Sequence, residues 1–272
     1  MPTVSFESLR VRGGRQLNLS KLDPEDTSLA PGGKRRTEAT FPKLLGELER
    51  LQELLYADRR HAVLVVLQGM DSSGKDGTIR HVFSGVNPQG VDVASFKVPT
   101  PLELSHDFLW RVHKRAPEKG HIVIFNRSHY EDVLVARVHD LVPRRVWSKR
   151  YREINDFERE LREEGTTILK FFLHISRKEQ ADRLRARLDD PTKQWKLTEA
   201  DARERKFWDS YMEAYNDMLR RTSTSYAPWF AVPSDYKWFR NLVVSTVLVE
   251  ALRALHLRYP PPEIDLKSFR IG

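Results

Sequence analysis

Gln68-Gly69-Met70-Asp71-Ser72-Ser73-Gly74-Lys75-Asp76-Gly77 carries Gly69 and Gly74 with four residues between them, and a lysine directly after the second. Gly69, Gly74 and Lys75 fit G-x-x-x-x-G-K, the pattern of a loop that cradles phosphate. Glycines let the chain turn so that N–H groups converge on one phosphate, and a helix starting at the loop's end adds the positive end of its dipole. Lys75 then brings a point charge to the phosphoryl group being moved. Met70, Ser72, Ser73, Asp76, Gly77 and Arg80, in the loop or just past it, are candidate phosphate- or nucleotide-binding positions of the same cradle. Asp76 stands where the usual pattern has a Ser or Thr to hold Mg²⁺. Two carboxylates this close to phosphates repel them unless one faces a cation. Asp71 is assigned to a Mg²⁺ bridging the phosphates, as a hard oxygen ligand.

A second polar cluster, Asn126-Arg127-Ser128-His129-Tyr130-Glu131-Asp132, follows the apolar run His121–Phe125. In phosphate-loop enzymes the strand beside the loop strand commonly ends in an Asp that supports the metal. Asn126 holds that place here, so the metal leans more on Asp71, with Glu131 or Asp132 reached through water. Arg127 is placed to neutralise charge on the phosphoryl group in flight. The same residues also read as a helix start, with Ser128 as N-cap and Glu131 three residues on completing a capping box. Further along, Arg183 and Arg187 are four residues apart and share a helix face. Closing over a phosphate site they would act as arginine fingers, whereas Glu179, four residues before Arg183, offers plain surface pairing. Lys193-Gln-Trp-Lys196 is a candidate for holding phosphate or a base, with packing as the other reading of Trp195. His106, His129 and His174 lack metal-ligand spacing and read as structural; no Ser/His/Asp set stands out.

These residues need a scaffold that brings the ends of strands together. Ala62-Val-Leu-Val-Val-Leu67 is apolar, β-branched and free of polar alternation, the pattern of a strand buried on both faces of a parallel sheet. Before it, from Phe41, Leu44, Leu48, Leu51 and Leu55 recur at steps of four and three, an amphipathic helix. Further strands are expected at Val91–Phe96, His121–Phe125, Thr167–His174 and Trp229–Pro233. Helices are expected near Thr78–Ser84, Glu103–Lys114, Tyr130–Val138, Pro143–Glu163, Lys178–Asp189, Glu199–Arg220 and Tyr236–Leu257. This alternation predicts an α/β fold, a three-layer αβα sandwich of phosphate-loop kinase type with a parallel five-stranded sheet. Residues 176–215, dense in charge with Trp195 and Trp208 interleaved and Pro191 in the middle, predict a helical lid over the sheet's carboxyl edge. Residues 1–40, broken at Gly13-Gly14, Asp23-Pro24 and Pro31-Gly32-Gly33, predict an irregular arm, leaving 41–272 as a single domain. Lys34-Arg35-Arg36 in that arm reads as a solvated triplet.

Composition narrows the chemistry. The 272 residues, 40% of them hydrophobic, suffice for one large α/β domain and exclude wholesale disorder. Lysine and arginine number 46 against 38 acidic residues, and the net charge of +8 favours polyanionic partners such as nucleotides, phosphate chains or nucleic acid. There is no cysteine, which excludes a disulfide framework, a thiolate zinc site and a thiol nucleophile, and fits a reducing cytoplasm. Met-Pro-Thr-Val-Ser-Phe-Glu at the start has no basic segment before an apolar run, so no signal peptide is expected. The apolar stretches Ala62–Leu67 and Leu242–Val249 are too short to cross a bilayer, so no membrane partner is expected.

Taken together, these segments resemble the second family of polyphosphate kinases, from about Phe41 to Leu257. The resemblance rests on Leu67–Gly77, Asn87-Pro-Gln-Gly90, Phe96-Lys-Val-Pro-Thr-Pro101, His106-Asp-Phe-Leu-Trp-Arg111, Phe125–Asp132, Lys193-Gln-Trp-Lys196 and Ala227-Pro-Trp229, all in one order. It implies reversible phosphoryl transfer between inorganic polyphosphate and a nucleotide, with Mg²⁺, on a phosphate-loop kinase fold with a helical lid. It also accounts for Asp76, because that family carries Asp there. By the resemblance Asp71 binds the metal, Lys75 the phosphate, Arg127 is the catalytic arginine, and the lid arginine is Arg183 or Arg187. Many members carry an Asp at the strand end where this chain has Asn126. Ser-His-Tyr-Glu in place of the Ser-Trp-Tyr-Asn of other branches is similar to the third class, which accepts both AMP and ADP. A tunnel lined by Lys75, Arg80, Lys97, Arg111, Arg127 and the lid arginines would hold a phosphate chain electrostatically.

Two other functions compete. One is an ATP-dependent nucleoside monophosphate kinase of thymidylate-kinase type, separable by a swap of phosphoryl donor. The other is a phosphate-loop nucleic-acid-binding protein, against which the aromatics do not interleave with basic residues as a base-stacking platform requires. Specific nucleic-acid binding is therefore not expected, and assembly into a homo-oligomer is left open.

Overall fold

The computed structural model of the chain describes residues 5–15, 17–30 and 32–271. The apolar runs form β1 (Ala62–Gln68), β2 (Val91–Ser95), β3 (Ile122–Asn126), β4 (Thr166–His174) and β5 (Trp229–Pro233). They make one sheet in the order β2-β3-β1-β4-β5, every neighbouring pair parallel. Strand pleating sends alternate side chains to opposite faces. Val63, Val65 and Leu67 of β1 join Ile122, Ile124, Phe171 and Leu173 in one core layer. Leu64 and Val66 join Val123, Phe125, Ile168 and Phe172 in the other. Both layers are capped by helices, so the fold is the expected three-layer α/β sandwich.

The helices are α1 (Gly33–Asp58), α2 (Lys75–Val82), α3 (Pro101–Leu104), α4 (Trp110–His113), α5 (Val135–Val138), α6 (Arg144–Glu163), α7 (Arg177–Leu188), α8 (Glu199–Glu204), α9 (Trp208–Thr222) and α10 (Lys237–Ala254). Leu48, Leu51 and Leu55 of α1 pack with Val243, Val244 and Val247 of α10 on one face of the sheet. Tyr151, Ile154 and Phe157 of α6 pack with Tyr215 and Met218 of α9 on the other. Among the described residues no helix is long and apolar enough to cross a membrane.

Several boundaries differ from the sequence pattern, each for a local reason. The arm is shorter than 1–40, because α1 begins at Gly33. Gly32, at φ +79°, caps that start instead of breaking the chain, and packing on α10 carries the helix through Pro42. Residues 1–4, Gln16 and Pro31 of the expected arm lie outside the described residues. The helix expected over Glu103–Lys114 splits into α3 and α4, because Asp107 Oδ1 accepts the Leu109 N–H at 3.0 Å in a local turn. Glu199–Arg220 splits at a 3₁₀ turn over Arg205–Phe207. That turn is tied back to α7, Arg205 Nη1 donating to Gln180 Oε1 at 2.5 Å. Within the expected lid, Trp208, Tyr211 and Tyr215 are buried in the core, so from Trp208 on the segment packs against the domain, with Asp209, Ser210 and Glu213 on its outer side.

Candidate active site

The loop between β1 and α2 turns through left-handed backbone. Gly69 and Gly74 have φ of +150° and +110°, and Ser72 is held at +64°, a conformation that costs a non-glycine residue about 1–3 kcal/mol. Room is short as well: a Cβ on Gly69 would stand 2.7 Å from the Leu173 carbonyl oxygen. Lys75 Nζ folds into the loop, donating to the Gly69 and Met70 carbonyl oxygens at 2.7 and 3.2 Å. Burial pushes the Lys75 pKa below its ordinary value, while Asp71 pulls it back up. The hydroxyls of Ser72, Ser73 and Thr78 are buried without a hydrogen-bond partner. Buried hydroxyls in a native fold are nearly always bonded, so these three fit a ligand rich in acceptor oxygens.

Register brings the second cluster to the loop, since Leu67 of β1 lies beside Asn126 of β3. Arg127, also left-handed at φ +61°, sends Nη2 to Asp71 Oδ1 at 2.7 Å, with Nη1 3.8 Å from Glu131 Oε2. Burial works to lower the Arg127 pKa, but Glu131 and then Asp71 outweigh it and the value is raised. Burial raises the Glu131 pKa against the opposing pull of Arg127 and Lys75. Asn126 Nδ2 donates to Asp76 Oδ1 at 2.7 Å. The expected capping box does not form. Ser128 is extended and its Oγ accepts from Tyr130 N at 3.2 Å, opening a tight 3₁₀ turn. The Glu131 carboxylate faces Arg127 instead of returning to Ser128.

Beneath that turn lies a polar network which the sequence reading passed over. Lys170, fully buried in β4, donates to Glu158 Oε2 at 2.5 Å, Tyr130 Oη at 2.8 Å and the Thr222 carbonyl oxygen at 2.8 Å. Tyr130 Oη donates to Glu158 Oε1 at 2.7 Å, and His129 Nε2 lies 3.2 Å from the same oxygen. Lys170 and His129 hold the Glu158 pKa low despite its burial. A lysine in the middle of Thr-Thr-Ile-Leu-Lys-Phe-Phe-Leu-His was the available signal, because an isolated buried ammonium is too costly to keep without a partner.

On α7 the two arginines part company. Arg183 gives Nη1 to the Ser72 and Ser73 carbonyl oxygens at 2.9 and 3.0 Å, and Nη2 to those of Ser234 and Asp235 at 2.6 and 2.8 Å. Its Nε donates to Glu179 Oε1 at 2.8 Å, so both the surface pairing and the loop contact are realised. Arg187, one turn on and partly exposed, makes no hydrogen bond or ion pair among the described residues. Arg80 is likewise exposed and without a polar partner among them. Lys97 is exposed, whereas Arg111 is buried against Phe96 and donates to the Lys97 carbonyl oxygen at 2.9 Å. Lys193 pairs with Asp190, and Lys196 lies over the Trp195 ring at 5.1 Å. Trp195 is 77% exposed, which removes its packing reading.

Among the described residues no three His, Asp or Glu side chains converge as a metal cage. Magnesium in phosphoryl-transfer sites does not need one, since it keeps waters and takes one or two carboxylates plus substrate phosphates. Asp71 and Asp76 flank Lys75 with hard oxygens, and that donor set fits a magnesium ion.

Three comparisons bear on this site. The family model described as polyphosphate kinase 2 matches residues 33–259. The chain is 58% identical over 258 residues to an AMP/ADP-polyphosphate phosphotransferase of Meiothermus ruber, covering 95% of this chain and 97% of that one. It is 45% identical to an ADP-polyphosphate phosphotransferase of Rhodopseudomonas palustris, covering 94% and 93% of the two chains. Its fold is similar to the crystal structure of polyphosphate kinase 2 from Arthrobacter aurescens, with TM-score 0.94, 42% identity and coverage of 98% and 96%.

Proposed function

The chain belongs to the polyphosphate kinase 2 family, and we propose that it transfers phosphoryl groups reversibly between inorganic polyphosphate and AMP and ADP, giving ADP and ATP. The observation that carries this reading is the alternating charge cluster of Lys75, Asp71, Arg127 and Glu131 at a loop with three unpartnered hydroxyls. In the forward direction an oxygen of the acceptor's last phosphate attacks the terminal phosphorus of the chain. The bond to the bridging oxygen behind it breaks, and the shortened chain leaves with that oxygen's charge. Lys75 turns from the Gly69 and Met70 carbonyls to the phosphate, and Arg127 turns from Asp71 to the phosphoryl oxygens, where fixed positive charge lowers the barrier most. Asp71 and Asp76 would hold Mg²⁺, which supplies charge neutralisation across the phosphate oxygens when bound. The exposed lysines and arginines around the site would draw in the polyanion.

Incubation with polyphosphate and AMP, without ATP, tests the reading: ADP should appear first and ATP after it. Phosphorylation of AMP that requires ATP and ignores polyphosphate would make the protein an ordinary nucleotide kinase.

Glu131 bears on the choice of acceptor. AMP brings one phosphate fewer than ADP, so its attacking oxygen has less help from chelation by the substrate itself. A carboxylate directed at Arg127, and not spent on a cap, can hold a metal-bound water at that place. Glu131→Asn is expected to lower kcat/KM for AMP relative to ADP by about tenfold, or 1.4 kcal/mol. A parallel fall for both acceptors would leave Glu131 with a structural role alone.

The lid arginines separate in the same assay. Arg187→Ala should lower kcat with little change in nucleotide affinity, as for a group engaged mainly in the transition state. Arg183→Ala should first cost stability, about 1–3 kcal/mol for buried carbonyls left unpaired. A normal kcat for Arg187→Ala beside an unchanged melting point for Arg183→Ala would reverse the assignment.

A further inference from the structure

The carbonyl edge of the phosphate loop is gripped from behind by side chains of two helices. Gln180 Nε2 donates to the Asp71 carbonyl oxygen at 2.9 Å, Arg183 to those of Ser72 and Ser73, and Arg240 Nη1 to that of Ser73 at 3.3 Å. A trans peptide points its N–H opposite to its C=O. Holding these carbonyls back therefore turns the Ser72 and Gly74 N–H groups forward, while the Ser73 N–H is used inside the loop on the Met70 carbonyl oxygen at 3.0 Å.

Arg240 is the unusual member. It is 2% exposed and makes no ion pair among the described residues. Nε and Nη2 go to the neutral Asn241 Oδ1 at 3.2 and 2.9 Å. It sits in the first turn of α10, where the helix dipole is itself positive, with Arg183 as a charged neighbour. Burial and then Arg183 bring its pKa down to about 9. A buried guanidinium without a carboxylate opposes folding. Its contact is the loop itself: a Cβ on Gly74 would lie 1.8 Å from Nη1, so glycine is what admits the guanidinium.

We propose that Arg240 is a positioning residue for phosphoryl transfer, which grips the loop through the Ser73 carbonyl and presents its charge, through the Ser73–Gly74 peptide, to phosphate held on the N–H side. Resting on the family reading above, it assigns to bound phosphate the negative charge that the chain does not supply to Arg240. Phosphate binding and Arg240 are then coupled, and the cost of burying the charge in the free protein is recovered when the loop is loaded.

Arg240→Met keeps the volume and removes the charge. Thermal melting of the ligand-free variant should be no lower than that of the parent, since an unpaired buried charge has gone. The melting-point gain from inorganic tripolyphosphate with Mg²⁺ should fall to about half or less, and kcat/KM with polyphosphate and ADP should fall by about tenfold. Arg240→Lys, which restores charge without the fork, should recover most of the tripolyphosphate gain. A merely structural Arg240 gives the opposite pattern, a lower free melting point with the full gain and kcat/KM retained, and that overturns the proposal. Should the Met variant fail to fold, the Lys variant decides alone: gain retained supports the coupling, gain lost overturns it. A parent that melts higher with tripolyphosphate but transfers nothing from polyphosphate counts against the function reading and leaves the melting comparison to judge Arg240. A parent with no gain from tripolyphosphate overturns both.

Discussion

Lys75→Ala is expected to lower kcat for transfer from polyphosphate by about a hundredfold to a thousandfold while the protein still unfolds cooperatively. Lys75 is buried in the loop and its ammonium is held by two of the loop's own carbonyls, so its charge is aimed inward before any substrate arrives. That arrangement costs the free protein something: burial depresses the Lys75 pKa, meaning that the folded state holds the proton less firmly than the unfolded chain does. For a lysine the sign is definite. This cost to stability is full below the depressed folded pKa, shrinks as pH rises from there to the lysine's ordinary value, and is gone above it. Alanine removes the cost but also removes two hydrogen bonds, each worth about 1 kcal/mol, so the melting point should move little. Catalysis has no such compensation, because the charge is needed most where the transferring phosphoryl group lies between donor and acceptor. Lys75→Arg tests geometry against charge, and should also be slow, since the planar fork does not fit where a compact ammonium reaches two carbonyls. Turnover of Lys75→Ala within about tenfold of the parent would remove the loop from the chemistry.

The sheet was legible because β1, β3 and β4 are buried on both faces and so read as mainly apolar runs, interrupted in β4 by Lys170; their observed ends lie within a residue of those expected. Positions fixed by short-range turn chemistry were not. Asp107 and Ser128 each turn the chain through a side-chain oxygen that accepts the N–H two residues on, and Gly32 caps a helix where it reads as a breaker; periodicity carries none of these. The expected lid was drawn too long because α9 is highly charged on one side, although Trp208, Tyr211 and Tyr215 stand at the three-and-four spacing of one buried helix face. At the site, the residues proposed to serve phosphate and metal were readable from type and spacing: Asp71, Lys75 and Arg127 do converge. Those that work from behind were not. Arg240 lies in a helix that is apolar nearly all round and belongs to no motif, and Arg183 resembled Arg187 until its five donated bonds were placed. Side chains directed at backbone carbonyls leave no signature in spacing, because any backbone offers the acceptor.

Arg127→Gly is expected to lower kcat by about a thousandfold, the scale on which an arginine serves a phosphoryl-transfer transition state, with a loss of stability that is small and depends on pH. Three effects meet at this residue. Glycine relieves the left-handed backbone at φ +61°, which costs an L-residue about 1–2 kcal/mol, though a freer unfolded chain offsets part of the relief. The ion pair with Asp71 is lost, but the Arg127 side chain is 41% exposed and such a pair is worth about 0–1 kcal/mol. Glu131 is left buried beside the weaker attraction of Lys75, and its pKa, already raised by burial, goes higher still. A carboxyl whose folded pKa is raised binds its proton more tightly in the folded state. Stability therefore falls as pH rises through the window between the unfolded value and the raised one, and returns as pH falls. The melting-point deficit of Arg127→Gly relative to the parent should narrow on going from pH 8 to pH 5, whereas the kcat deficit should persist at both. Adding Glu131→Gln to the variant should abolish the pH dependence of the deficit, since the titrating group is gone. A kcat within about tenfold of the parent would mean that Arg127 only ties Asp71 to Glu131 and that another cation meets the phosphoryl group, whereas a melting deficit indifferent to pH would mean that Arg127 does not govern the Glu131 carboxyl.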